Sequence, residues 1–154
     1  MKSSKRLFLI LLVGMLWLSG CASKSINQMD TEQNEQENHE SIPDTQEKTA
    51  AINELPSFLE GQTERTINIY AGVAKFPDLV QLVPCYCGCM ETLGHQSNLN
   101  CFIQRINQDG TVVWTDHATR CETCLDIAAT TIYEMNNGKT IKDVREIINQ
   151  KYNQ

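Results

Sequence analysis

The chain has 154 residues, 41% of them apolar, which sets one compact domain as the default. Its formal net charge of −6 excludes nucleic-acid binding driven by a basic patch. The charge is uneven: Lys2, Lys5 and Arg6 open the chain without an acid, and residues 22–54 carry eight acids against Lys24 and Lys48.

The three N-terminal cations precede an apolar run from Leu7 to Leu18. That length suits the core of a signal peptide and is short for a membrane-spanning helix, which needs about 20 residues. Leu18-Ser19-Gly20-Cys21 resembles a lipobox, the cleavage site of bacterial lipoprotein precursors. The implied chemistry is diacylglycerol transfer to the Cys21 thiol and cleavage before it, so that residues 1–20 are a signal peptide. Two acyl chains suffice for stable anchoring where one is marginal. The expected address is the outer face of the cytoplasmic membrane. An uncleaved N-terminal helix with an incidental cysteine is the competing reading, and the short apolar run argues against it.

Residues 21–54 then read as a lipidated cysteine followed by an acidic stalk. The segment is rich in Ser, Asn, Gln, Glu, Asp and Thr and has no apolar period, so it cannot bury enough surface to offset its ordering entropy. As a flexible coil its reach is on the order of 30 Å. His39 sits among these acids as a solvated bystander.

Apolar residues return at Leu55, with Phe58 and Leu59 forming a short docking turn. Tyr70 to Val83 has helical spacing, with Pro77 as a break or a first-turn residue. Pro84 biases Val83 away from helix, so a helix ends there. Phe102–Ile106 and Thr111–Thr115 flank Asn107-Gln108-Asp109-Gly110, a hairpin signal. Leu125, Ala128, Ala129 and Ile132 mark an amphipathic helix, stopped by Asn137-Gly138. Thr140 and Asp143 form a capping box before a second stripe, Ile141, Val144, Ile147 and Ile148. The fold expected over 55–154 is a small, mainly α domain stapled by its Cys/His centre, with one short β-hairpin; α+β is the alternative.

Six of the seven cysteines (Cys85, Cys87, Cys89, Cys101, Cys121 and Cys124) fall between residues 85 and 124. In an extended or looping segment the side chains of Cys85, Cys87 and Cys89 share one side, and Pro84 and Gly88 favour such a loop. Three sulfurs this close in sequence are awkward to bridge with one another and suit shared ligation of a soft metal. Cys121-Glu122-Thr123-Cys124 is a C-x-x-C at a helix start, where exposed N–H groups favour thiolate. His95 and His117 complete a set of eight candidate metal ligands, more than one tetrahedral ion uses. Met90 adds a thioether, with core packing as its simpler role.

Pro84-Cys85-Tyr86-Cys87-Gly88-Cys89 resembles the signature of the bacterial PCYCGC-motif lipoproteins. The resemblance runs through Gly94-His95, Cys101-Phe102, His117-Ala118, Cys121 and Cys124, Gly138-Lys139 and the segment 145–152, covering roughly residues 66–152. It implies an extracytoplasmic location and a metal or redox role, and no particular reaction. Cys87-x-Cys89, 31 residues, then Cys121-x-x-Cys124 is also similar to the ligand spacing of bacterioferritin-associated-ferredoxin-like domains, which hold a 2Fe–2S cluster. Cys85 and Cys101 lie outside that second pattern.

Three functions compete on these residues. The first is a membrane-anchored metal-binding lipoprotein, a carrier, buffer or sensor for Cu(I) or Zn. The second is a thiol–disulfide oxidoreductase using Cys121 and Cys124, weakened by the lack of a βαβ pattern. The third is an interaction module held by three disulfides. No pattern for other enzymatic chemistry stands out, and partners beyond the membrane and a metal ion are not legible.

Overall fold

A computed structural model describes residues 43–152. The expected signal peptide, Cys21, His39 and the part of the expected stalk up to residue 42 lie outside the described residues. Among those described, a three-stranded antiparallel sheet packs with five α-helices, a small α+β domain. No described helix is long and apolar enough to cross a membrane.

The sheet order is β1-β3-β2, where β1 is Gln46–Thr49, β2 is Ile103–Ile106 and β3 is Val112–Thr115. The central strand reads Val-Val-Trp-Thr and is buried at every position, as a strand with partners on both edges should be. β2 and β3 form the hairpin expected from Asp109-Gly110. Gly110 takes φ +84°, which only glycine adopts without strain, and Asp109 Oδ1 accepts from the Thr111 N–H at 3.0 Å.

The composition-based boundary at Leu55 is corrected by β1. This strand lies within the segment read as stalk, yet it pairs with β3 in the register Gln46↔Thr115 to Thr49↔Val112. Its polar sequence, Gln-Glu-Lys-Thr, belongs to an edge strand whose pairing uses main-chain groups. Only Thr49 is buried, and its Oγ1 accepts the buried Trp114 indole N–H at 2.9 Å. Glu47 ties the strand forward, accepting the Ser57 N–H at 2.8 Å and its hydroxyl at 2.7 Å.

Helix α1 spans Glu64–Lys75 and α2 spans Pro77–Gln81. The helical spacing seen from Tyr70 onward therefore continues an earlier helix, capped by Thr63, whose side chain accepts from the Thr66 N–H. Pro77 is the first residue of α2, the position where its missing N–H costs nothing. Thr66, Ile69, Tyr70 and Val73 form the buried stripe of α1. Tyr70 is fully buried, donates its hydroxyl to the Thr115 carbonyl at 2.9 Å, and stacks edge-on to Phe102 at 4.9 Å. Burying a side chain such as Phe102 contributes about 1.5–3 kcal/mol.

After the very short α3 (Cys89–Thr92) and the hairpin come α4, Glu122–Asn136, and α5, Ile141–Tyr152. Gly138, at φ +82°, closes α4 through its N–H to the Met135 carbonyl. The Thr140–Asp143 capping box forms as its spacing predicts: Asp143 Oδ2 accepts the Thr140 N–H at 3.1 Å and Thr140 Oγ1 accepts the Asp143 N–H at 3.3 Å. Val144 and Ile148 of α5 meet Val83 and Ile127 in a small second core. The main core joins α1, α4 and the sheet to the buried cysteines.

Candidate metal centre

The eight Cys and His residues arrive from several separate local structures. Cys85 and Cys87 lie in the loop after Pro84, and Cys89 begins α3. Gly88 turns the chain there with φ +86°. His95 follows α3, with its N–H on the Cys89 carbonyl at 3.3 Å. Cys101 ends a 3-10 turn, Asn98–Cys101, that leads into β2. His117 begins a 3-10 turn, His117–Arg120, just after β3. Cys121 is the N-cap of α4, and Cys124 lies in its first turn.

All eight converge. Cys85, Cys87, Cys89, Cys101 and Cys124 have ligand atoms within 4.8 Å of one another. A second such group is Cys87, His117, Cys121 and Cys124, and a third is Cys89, His95, Cys101 and His117. The groups share members, so they form one continuous cluster. The loop geometry inferred from Pro84 and Gly88 places Cys85 Sγ 3.2 Å and Cys89 Sγ 2.9 Å from Cys87 Sγ. Long-range pairs are nearly as close: Cys85 to Cys124 and Cys85 to Cys101 are both 3.5 Å, and Cys89 to Cys101 is 3.6 Å.

A disulfide has sulfurs about 2.05 Å apart. None of the cluster's six cysteines is at bonding distance from another and all six are free, which speaks against the alternative of a module held by three disulfides. The four-thiolate spacing similar to ferredoxin-like domains omits Cys85 and Cys101, both buried in the middle of the cluster. Met90 is 40% exposed, so it is not the core residue its simpler reading implied.

Burial gives the cluster an inside and an outside. Cys85, Cys89, Cys101 and Cys124 are buried, while Cys87, Cys121, His95 and His117 are partly exposed. Buried thiols compete for protons. Contacts with Cys101 and then Cys124 bring the Cys85 thiol down to about 6. Cys101, Cys121 and Cys124 around Cys87 hold that thiol far below the usual range. Cys101 is pushed up by Cys124 and Cys85, the opposite side of the same competition. His117 is raised to about 11 by its contacts with Cys121 and Cys87. His95 is shifted down, first by burial and then by the positive charge of His117. Packed thiols cannot all ionise without a cation, and a soft cation can replace the protons they share. Six sulfurs and two imidazoles therefore fit a thiophilic metal, and the cluster could hold one.

A carboxylate shell backs the imidazole. His117 Nδ1 is 3.1 Å from Asp44 Oδ2, and its Nε2 faces Cys87 Sγ at 3.9 Å. Arg120 joins Asp44 to Asp116 through bonds of 2.8 and 2.7 Å. Below the sulfurs the fully buried Asn98 donates Nδ2–H to the Cys124 carbonyl at 3.2 Å. Sequence reasoning missed Asp44, Asp116, Arg120 and Asn98. The only local hint was their closeness to candidate ligands, and Asp44 lacked even that, lying 73 residues from His117.

No curated protein and no solved structure matches the chain. A family model described as a protein of unknown function with PCYCGC motif matches residues 9–154. The motif is the stretch 84–89, which supplies three of the clustered sulfurs, and the chain belongs to this PCYCGC-motif family.

Proposed function

We propose that this protein is a lipid-anchored, extracytoplasmic metal-binding lipoprotein whose domain takes up Cu(I) or Zn(II) as a carrier, buffer or sensor. One observation carries the reading: eight soft or borderline donors from separated stretches of chain occupy three overlapping groups, each within 4.8 Å. A single tetrahedral ion uses four donors. The shared donors favour more than one ion, with thiolates bridging between them. The partly exposed residues Cys87, Cys121, His95 and His117 give an incoming ion access that the buried sulfurs lack. The anchoring part rests on Lys2, Lys5, Arg6, the apolar run and Cys21 in the sequence.

The test is native mass spectrometry with metal analysis on the full chain, purified in detergent without oxidation and offered Cu(I) or Zn(II). We expect retained metal, with the six clustered thiols unreactive until a chelator is added. Six freely reactive thiols in the presence of excess of both ions would overturn the metal reading. An intact mass without a diacylglyceryl group on Cys21 in membrane-extracted protein would overturn the anchor.

A further inference from the structure

Resting on the metal reading above, we propose that Asp44 is a positioning residue for the centre: it orients His117 so that Nε2 faces the thiolates, and thereby couples metal occupancy to the docking of residues 44–49 on β3. An imidazole offers a metal only one nitrogen at a time, and the bond made by the other nitrogen decides which one. Here Nδ1 lies 3.1 and 3.3 Å from the two Asp44 oxygens, which leaves Nε2 for the cluster side, 3.9 Å from Cys87 Sγ. The pair is well sheltered, with 17% of the His117 side chain and 21% of the Asp44 side chain exposed.

The carboxylate is itself fixed. Arg120 Nη2 donates to Asp44 Oδ1 at 2.8 Å, and Arg120 Nη1 donates to Asp116 Oδ2 at 2.7 Å. The next residue is bound to the same place. Thr45 donates its N–H to Asp116 Oδ1 at 2.8 Å and accepts the Asp116 N–H at 3.0 Å. Strand β1 begins immediately after, with Gln46 opposite Thr115. Two adjacent residues thus join the imidazole of the metal centre to the first strand of the fold.

The coupling has a defined sign. A metal on Nε2 needs the ring held with Nδ1–H toward Asp44, the orientation the docked strand provides, so bound metal favours that strand. Linkage requires the converse, so the docked strand raises metal affinity by the same factor.

The experiment uses the full chain with Zn(II) as the probe. It compares wild type with Asp44→Ala, Asp44→Glu and Glu47→Gln, the last loosening β1 without touching His117. Chelator competition reads affinity, 15N signals of His117 read which nitrogen carries the proton, and amide exchange reads residues 46–49 with and without Zn(II). We expect Asp44→Ala to weaken Zn(II) binding by about 10–100-fold and, in the Zn(II)-loaded protein, to divide His117 between Nε2-bound and Nδ1-bound forms. Asp44→Glu should recover part of the affinity, and Glu47→Gln, which loosens β1 but keeps the Asp44–His117 contact, should lower it by less than Asp44→Ala does. In wild type, Zn(II) should slow exchange at 46–49. Wild-type affinity and unaltered His117 signals in Asp44→Ala would overturn the proposal, as would identical exchange at 46–49 in loaded and metal-free wild type. The exchange comparison stands even where Asp44→Ala fails to fold. A wild-type chain that binds no Zn(II) or Cu(I) brings down the metal reading itself, a result distinct from equal binding by variant and wild type.

Discussion

The sulfur atoms of Cys85 and Cys124, 39 residues apart in the chain, lie 3.5 Å from each other in the buried interior. One belongs to the loop after α2 and the other to the first turn of α4, so any ion they share also ties those elements together. Chelation should therefore loosen the fold as well as empty the site. At free metal about a thousandfold above the dissociation constant, binding adds about 4 kcal/mol of stability. For a domain this small each kcal/mol moves the melting temperature by about 4–8 °C. Calorimetry with and without chelator measures the difference, and an unchanged melting temperature contradicts it. Cys124→Ser should lower the number of ions bound per chain, read by native mass spectrometry.

Thr49 and Trp114 test where the domain begins. Thr49→Val keeps the shape but removes the acceptor of a buried indole N–H. Leaving such a donor unpaired costs about 1–3 kcal/mol. A chain starting at Leu55, the boundary that composition suggests, also strips β1 from the edge of β3. Its apolar central strand would then offer an open edge, and the expected result is a lower melting temperature and association between copies. A truncated chain that melts like the full one would show that β1 contributes nothing.

That boundary marks the limit of what the residues reveal by themselves. Helices α4 and α5 were legible because their apolar stripes and stop signals are local, as was the hairpin turn at Asp109-Gly110. The donors of the centre were legible as residue types, and Pro84 and Gly88 revealed the local convergence of Cys85, Cys87 and Cys89. Strand β1 was not legible, because main-chain pairing leaves little trace in a polar tetrapeptide. Asp44 was hidden for a related reason: a carboxylate among many acids is distinguished only by the ring it meets across the fold. The start of α1 was written in Thr63 and Thr66, but the apolar period gives those polar residues no weight.

Glu47 gives a pH dependence with a definite sign. The N–H and hydroxyl of Ser57 hold its carboxyl below the ordinary value of 4.5. A carboxyl depressed in the folded chain adds stability above its unfolded value and loses it as pH falls through the folded one. Wild type should therefore exceed Glu47→Gln in melting temperature at neutral pH, and the gap should close as pH drops below about 4.5. The group is near the surface, so the gap is small. A gap that widens on acidification contradicts the assignment of Glu47 as the ionised acceptor.

Metal uptake should release protons, and His117 is their most readily identified source. In the metal-free fold His117 is raised from 6.5 to about 11, so its stabilising contact is complete below about 6.5 and fades as pH rises through about 11. Cys85 works the other way: lowered from 9 to about 6, it stabilises above about 9 and loses that contribution as pH falls through about 6. Between those limits the metal-free centre holds a proton on His117 beside ionised sulfur, and an ion taking Nε2 must displace that proton. Affinity for Zn(II) should consequently rise with pH across the neutral range. Titration calorimetry at pH 8 in buffers of different ionisation enthalpy counts the protons. His117→Gln should release one fewer than wild type, because the variant has no imidazolium to discharge. Equal counts would mean that His117 keeps its proton and stands outside the coordination sphere, leaving the ion to the sulfurs and His95.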